Sequence, residues 1–206
     1  MLSIVLSRRD IREYDQIISL YTLEYGKVEA MARGVKKILS KNAALLEPFC
    51  FVEAEVIPGK EIAHIGSVQA QNVFKNIRAD LDKSLMAKYA VELLDKIIHP
   101  GEPDKKIFAL LVSWLEHSDK TEISNLVLLD AFVCKLLFLL GFNIAQSEKT
   151  DREIKKDLEF LTHGAWAQID NLKLEKGEYE RLHAFVYEFL LYHTERKLGD
   201  WAKLIF

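Results

Sequence analysis

The sequence predicts an α+β chain in which a small all-β unit comes first and an all-helical unit follows. Two observations carry this. Five short runs rich in Ile, Val, Leu and aromatic residues fill roughly the first 75 positions, as strands do. Beyond about Ile77 the apolar spacing lengthens from two to about four, the spacing of a helix face.

Turn signals separate the runs. "LSIVLS" and "DQIISLYTL" are the first two strands, and "EYG" turns the chain into "KVEAMA", where Gly26 takes a positive φ that other residues resist. "FCFVEAEVI" alternates, with Val52, Ala54 and Val56 on one face and Glu53 and Glu55 on the other. "PGKE" turns again and leads into "IAHIGSVQAQ". Five strands in so short a span suit a small barrel or a sandwich.

The helical half opens with "IRADLDKSLMAKYAVELLDKII", in which Leu81, Leu85, Tyr89, Leu93 and Ile97 are spaced by four and read as one face. Pro100 stops that helix. Pro103 and Asp104 start "PDKKIFALLVSWLEH", with the proline in the first turn. "ISNLVLLDAFVCKLLFLLGF" is apolar nearly all round, which marks a central helix ended by Gly141. "DREIKKDLEFL" is short and charged. In "EYERLHAFVYEFLLYHTERKLG" the stripe is Leu182, Phe185, Val186, Phe189 and Leu190, with Gly199 as the C-cap. The two units divide at 1–76 and 77–206.

Half of the 206 residues are apolar, enough for a packed core. A net charge of -3 excludes a uniformly basic nucleic-acid coat but leaves room for a local patch. Cys50 and Cys134 are too few for a thiolate zinc site and suit a reducing compartment. "MLSIVLSRRD" lacks the basic start of a secretory signal, and Asp130 and Lys135 interrupt the most apolar run, so a cytoplasmic chain without a membrane span is expected. No GxxxxGK[ST] or GxGxxG occurs. His64, His99, His117, His163, His183 and His193 fall singly; the last two are ten apart, not the four that a metal pair on a helix needs. Glu53 and Glu55 have no base or nucleophile beside them in sequence. No catalytic residue, metal or cofactor is predicted, and both cysteines are assigned to packing.

Charge is where the chain is informative. "SRRDIRE" puts Arg8, Arg9 and Arg12 at the end of the first strand, and "ARGVKKILSKNAALLEPF" gathers Arg33, Lys36, Lys37 and Lys41 after the third. Residues 1–80 carry a net +1 and residues 81–206 a net -4. The basic segments read either as solvated loops or as one patch that holds a polyanion, since the first and third strands of a small barrel can lie close together. Tyr14, Tyr21, Tyr25 and Phe49 could stack on bases or fill the core. Phosphate contact would then dominate, making binding sequence-independent and salt-sensitive.

The segment "VLSRRDIREYDQIISLYTLEYGKVEAMARGVKKILSKNAALLEPF" resembles the RecO family of bacterial recombination mediators. So do "HPGEPDKKIFALLVSWLE", "FVCKLLFLLGF" and "FLLYHTERKLGDWAKLIF". The R-D-x-x-E-x-D start, the E-x-G-K turn, A-R-G with trailing bases and A-A-L-L-x-P-F occur together in that family. The resemblance implies an N-terminal OB-fold barrel, followed by a helical domain. It also implies a non-enzymatic protein associated with the nucleoid. Such a protein binds single- and double-stranded DNA, anneals complementary strands, and partners RecR and the C-terminal tail of single-stranded DNA-binding protein. It thereby helps load RecA.

On this reading Arg8, Arg9, Arg12, Arg33, Lys36, Lys37 and Lys41 hold DNA. Lys135, where relatives often have a base, either snorkels or meets a carboxylate of a partner's tail. Arg196 and Lys197 are further partner contacts, although both also suit a helix C-terminus. Many relatives carry four zinc-binding cysteines after the L-G-[YF] motif, whereas "FNIAQSEKTDREIKKDLEFLTHGAW" has none, so no zinc is expected. The family's "SRFAALL" is "SKNAALL" here, without its aromatic. Two rivals remain: an OB-fold adaptor that binds only protein, and a hydrolase with an unrecognised site.

Overall fold

The computed structural model describes residues 1–122, 125–148, 150 and 152–203. Five strands form a closed barrel: β1 (Leu2–Asp10), β2 (Gln16–Thr22), β3 (Gly26–Ala32), β4 (Phe51–Ile57) and β5 (Ala63–Asn72). Their order is β1-β2-β3-β5-β4, with β4 returning to β1. Every pairing is antiparallel except β3 with β5, which meet in parallel at Ala30↔Ala63 and Met31↔His64. This is the OB-fold order, which decides between barrel and sandwich. Alternation explains the inside: Val5, Ile18, Leu20, Val52 and Ala54 fill the lumen, while Val35 and Leu46 of the β3–β4 loop plug one end.

The barrel's outer face packs on the helices. Ile4, Leu6 and Tyr21 from β1 and β2 lie in one core with Phe74, Leu94, Phe108 and Leu111. At that seam Asp95 gathers three barrel side chains: Ser7 Oγ and Ser19 Oγ each donate at 2.6 Å, and Lys27 Nζ lies 2.9 Å away. Gly26, with φ at +67°, passes so close to the linker that a Cβ would sit 2.4 Å from the carbonyl carbon of Glu102. The predicted positive φ is present, and close approach is a second reason for glycine.

The helices are α1 (Lys75–Ala79), α2 (Leu81–Ile97), α3 (Lys105–Lys120), α4 (Leu126–Leu139), α5 (Arg152–His163), α6 (Trp166–Asp170) and α7 (Lys176–Thr194). Asp80, Asp104 and Asn125 cap α2, α3 and α4 by accepting from backbone N–H groups of the first turn. Helix α4 is buried nearly all round, and Gly141 follows it with φ at +93°. The expected starts at Ile123 and Asp151 lie outside the described residues. Among the described residues no helix is long and apolar enough to cross a membrane.

Three expectations need correction. The four-residue spacing in α2 does not make one face, because Leu81 is 74% exposed while Met86, Ala90 and Leu94 are buried. With 3.6 residues per turn, a strict spacing of four walks about 40° per step and leaves the core within three steps. Helix α7 stops at Thr194, with Glu195 rather than Gly199 in the left-handed conformation. The chain then folds back to bury Leu198 and Trp201. Pro103 precedes the Asp104 cap instead of opening the helix.

Candidate nucleic-acid interface

Five of the seven predicted basic residues stand on two loops, and Arg8 and Arg9 on the end of β1. Residues 11–15 join β1 to β2, and the β3–β4 loop runs from Arg33 to Cys50. The loops touch: Lys36 N donates to Tyr14 O at 3.1 Å, and Gly34 N donates to Asp15 Oδ1 at 2.8 Å. Tyr14, 44% exposed, carries Lys37 Nζ 5.7 Å from its ring centroid, a cation–π distance. Arg12 stands on the same short loop, its guanidinium 3.9 Å from Asp15. Arg33 reaches across to β5, where Nη2 lies 3.1 Å from His64 Nε2. Lys41 is exposed beside Asn42, whose amide donates to Gly66 O of β5. Arg12, Arg33, Lys36, Lys37 and Lys41 thus share one rim.

Arg8 and Arg9 are placed differently. Arg9 reaches Glu29 of β3 at 3.8 Å. Arg8 pairs with Glu47 at 2.5 Å and lines a cleft of about 580 Å3 between barrel and helices, shared with Phe49, Arg78, Leu85 and Lys88. The Arg78 guanidinium lies over Phe49, 4.2 Å from the ring centroid, and donates to Val73 O and Pro48 O. Arg78 and Lys88 were not singled out from the sequence, where they are isolated helix cations.

Carboxylates temper the patch. The Lys36 ammonium, 2.6 Å from Asp10, holds that carboxyl below its ordinary value, with Gln16 assisting. Among the described residues, Arg33, Lys37 and Lys41 have no carboxylate within salt-bridge distance, and the Arg12 pair is long and exposed. The fold also ranks the aromatics: Tyr21 and Phe49 are core, Tyr14 and Tyr25 are exposed, and Tyr14 alone of these contacts a patch cation.

In the helical half, Lys135 has internal partners. Its Nζ donates to Thr162 O at 3.1 Å and Gly164 O at 2.7 Å, and sits 5.0 Å from the Trp166 ring centroid. It thereby satisfies carbonyls at the end of α5, and desolvation lowers its pKa. Arg196 and Lys197 are exposed just past α7, Arg196 in a shallow cleft with Phe142 and His193. Cys50 and Cys134 are both buried.

The histidines that fall singly in sequence do not all stay single. His183 Nδ1 lies 2.9 Å from Asp130 Oδ1 and its Nε2 2.9 Å from Asp200 Oδ1, while Trp201 Nε1 donates to Asp130 at 3.2 Å. Sequence offered no signal for this cluster, because its members are 53 and 17 positions apart.

A five-stranded OB barrel with a basic rim, packed through its outer face onto a helical bundle, places the chain among OB-fold proteins that carry a helical domain. Two family descriptions, "Recombination protein O N terminal" and "Recombination protein O C terminal", match residues 2–74 and 78–153. The chain belongs to the RecO family. The "DNA repair protein RecO" of Desulforamulus reducens is 38% identical over 149 residues, 72% of this chain and 56% of the relative. That of Geobacter metallireducens is 37% identical over 120 residues, 58% of this chain and 49% of the relative. That of a Thermoanaerobacter species is 29% identical over 203 residues, covering 98% and 81%. The chain spans about half the length of the first two.

Proposed function

We propose that this chain is a non-catalytic DNA-repair mediator that binds nucleic acid at the barrel rim. The carrying observation is the docking of the β1–β2 loop on the β3–β4 loop, which brings Arg12, Lys36, Lys37 and Tyr14 together beside Arg33 and Lys41. Cations held 2.6 Å from an acid exchange one partner for another on binding, so Arg12, Arg33, Lys37 and Lys41 are the four with charge to spare. Screening of phosphate repulsion between two strands held on one rim is the route to annealing. Kinship with the relatives' printed role in DNA repair supports the reading, and the family resemblance extends it to recombinase loading. The partners so implied are RecR, the tail of single-stranded DNA-binding protein and, indirectly, RecA.

Arg196, which lines the cleft with Phe142 and His193, and the adjacent exposed Lys197 are the contacts for a partner peptide on this reading. Lys135, the third such candidate, donates to Thr162 O and Gly164 O within the chain and meets a partner's carboxylate only by exchanging those bonds. The hydrolase alternative is disfavoured by placement: Asp130 is fully buried and His183 6% exposed, beneath Trp201.

Four phosphate contacts give a log–log salt slope of roughly -3 on single strands. Polarisation with a labelled oligonucleotide between low and moderate salt measures it. The double variant Lys36→Glu/Lys37→Glu should lose most of the affinity and flatten the slope. Unchanged binding overturns the proposal in favour of the protein adaptor, and cleavage of labelled DNA in magnesium overturns the non-catalytic assignment.

A further inference from the structure

The centre of the basic loop is apolar. Ile38 is 100% and Leu39 92% exposed, between Lys36, Lys37 and Lys41. Surface aliphatic residues occurring singly need no explanation, but two adjacent ones at complete exposure in a cationic ring do. The loop is not a dangling one. Val35 and Leu46, 3% and 1% exposed, anchor it in the barrel lumen on either side. Consecutive turns shape what lies between: Lys37 N donates to Gly34 O, Ser40 N to Lys37 O, and Leu45 N and Leu46 N to Asn42 O. A loop pinned at both ends and turned in the middle holds Ile38 and Leu39 outward as a small wedge. The exposed Tyr14 ring of the β1–β2 loop adds apolar surface beside Lys37.

A ligand matched to this surface must offer apolar faces and negative charge side by side. A single strand of nucleic acid does so, since its bases are unstacked and its phosphates run alongside them. A duplex presents the phosphates but keeps its base faces stacked away. We infer that Ile38 and Leu39 form an aliphatic wedge that inserts against the unstacked bases of single-stranded nucleic acid while the surrounding lysines hold the backbone. The inference rests on the nucleic-acid reading of the rim and gives this pair a role in holding single strands that it does not play with a duplex. The physical basis is the one by which aliphatic side chains enter base steps elsewhere: apolar area leaves water against a base face.

The test uses the whole chain, with polarisation on a labelled single strand and on a duplex of equal length. Ile38→Ser/Leu39→Ser, in side chains that touch solvent alone, leaves the fold intact, checked by an unchanged melting temperature. The expected result is roughly a tenfold loss of affinity for the single strand, the size that burial of one aliphatic side chain supplies. Duplex affinity stays within about twofold, and the salt slope on single strands stays near -3, because no phosphate contact is removed. A 2-aminopurine base in the strand should brighten on binding the unsubstituted chain and less so on binding the variant. Equal losses on both ligands, or none on either, overturn the wedge while leaving the basic rim standing; the latter result hands the pair to a protein partner. Failure of the unsubstituted chain to bind either ligand sinks the rim reading, and the wedge with it.

Discussion

Raising the pH through neutrality should loosen the helical half, and the reason is a count of protons at His183. A neutral imidazole has one N–H, yet both ring nitrogens lie 2.9 Å from carboxylate oxygens, Asp130 on one side and Asp200 on the other. Either the ring is doubly protonated or Asp130 carries a proton. Both arrangements bind the same number of protons, so the linkage does not depend on which prevails. Burial pulls the His183 pKa down, but hydrogen bonds and charge from Asp130 and then Asp200 outweigh it and raise it above 6.5. Burial raises Asp130 against the bonds it accepts from His183. The other titratable groups facing the ring are Tyr179 and Tyr187, stacked on its two sides, and Lys203, which pairs with Asp200.

Both folded pKa values are raised, so the unfolded chain loses this proton first as pH rises. The stability is fully present below pH 6.5 and is lost as pH climbs through the folded value. The slope is about 1.4 kcal/mol per pH unit within that window. Burial also raises Asp200, but bonds from His183 and Lys203 outweigh it and leave its pKa lowered; its share is present above the ordinary carboxylate value and lost on acidification. His183→Gln removes one partner of a buried pair, for a loss of about 3–5 kcal/mol, and the double variant His183→Gln/Asp130→Asn, which also removes the buried carboxyl, abolishes the decline above pH 6.5. Urea unfolding from pH 5.5 to 9, followed by tryptophan fluorescence, reads both. A stability curve flat above pH 6.5, or a decline that persists in the double variant, refutes the argument.

Asp95→Ala strips the carboxylate shared by Ser7, Ser19 and Lys27 and should cost about 3 kcal/mol in urea unfolding, a loss under 1 kcal/mol counting against it. Burial pushes that carboxyl up, but Ser19, Ser7 and Lys27 outweigh burial and hold it low, so its share should fade as the solution is acidified. Gly26→Ala meets both a positive φ and the Glu102 backbone 2.4 Å away, whereas Gly101→Ala meets a positive φ with nothing within 4 Å. The first should cost about 2–4 kcal/mol and the second about 1 kcal/mol; equal losses would show that the close approach is relieved without cost.

Much of the molecule is written locally. Alternation in "FVEAEVI", turn residues such as Gly26 and Gly141, and the Asp104 and Asn125 caps act within a few residues of chain, so strands, helices and several boundaries are legible without tertiary knowledge. The basic run Arg33 to Lys41 is local too, and its charge is visible to any reader of the sequence. The return of the chain after α7 is not, because Trp201 answers to Tyr89 on α2 and Asp130 on α4.

By itself the sequence determined that a β unit precedes a helical one and that positive charge collects in the first at the end of its first strand and after its third, since composition and period depend on neighbours in the chain. Only tertiary structure decided that Arg8 turns to a cleft while Lys36 and Lys37 meet Tyr14, that Lys135 is consumed by α5, and that His183 lies between two aspartates. Those outcomes depend on distances between residues dozens of positions apart, which barrel closure and helix packing set and which no local pattern encodes.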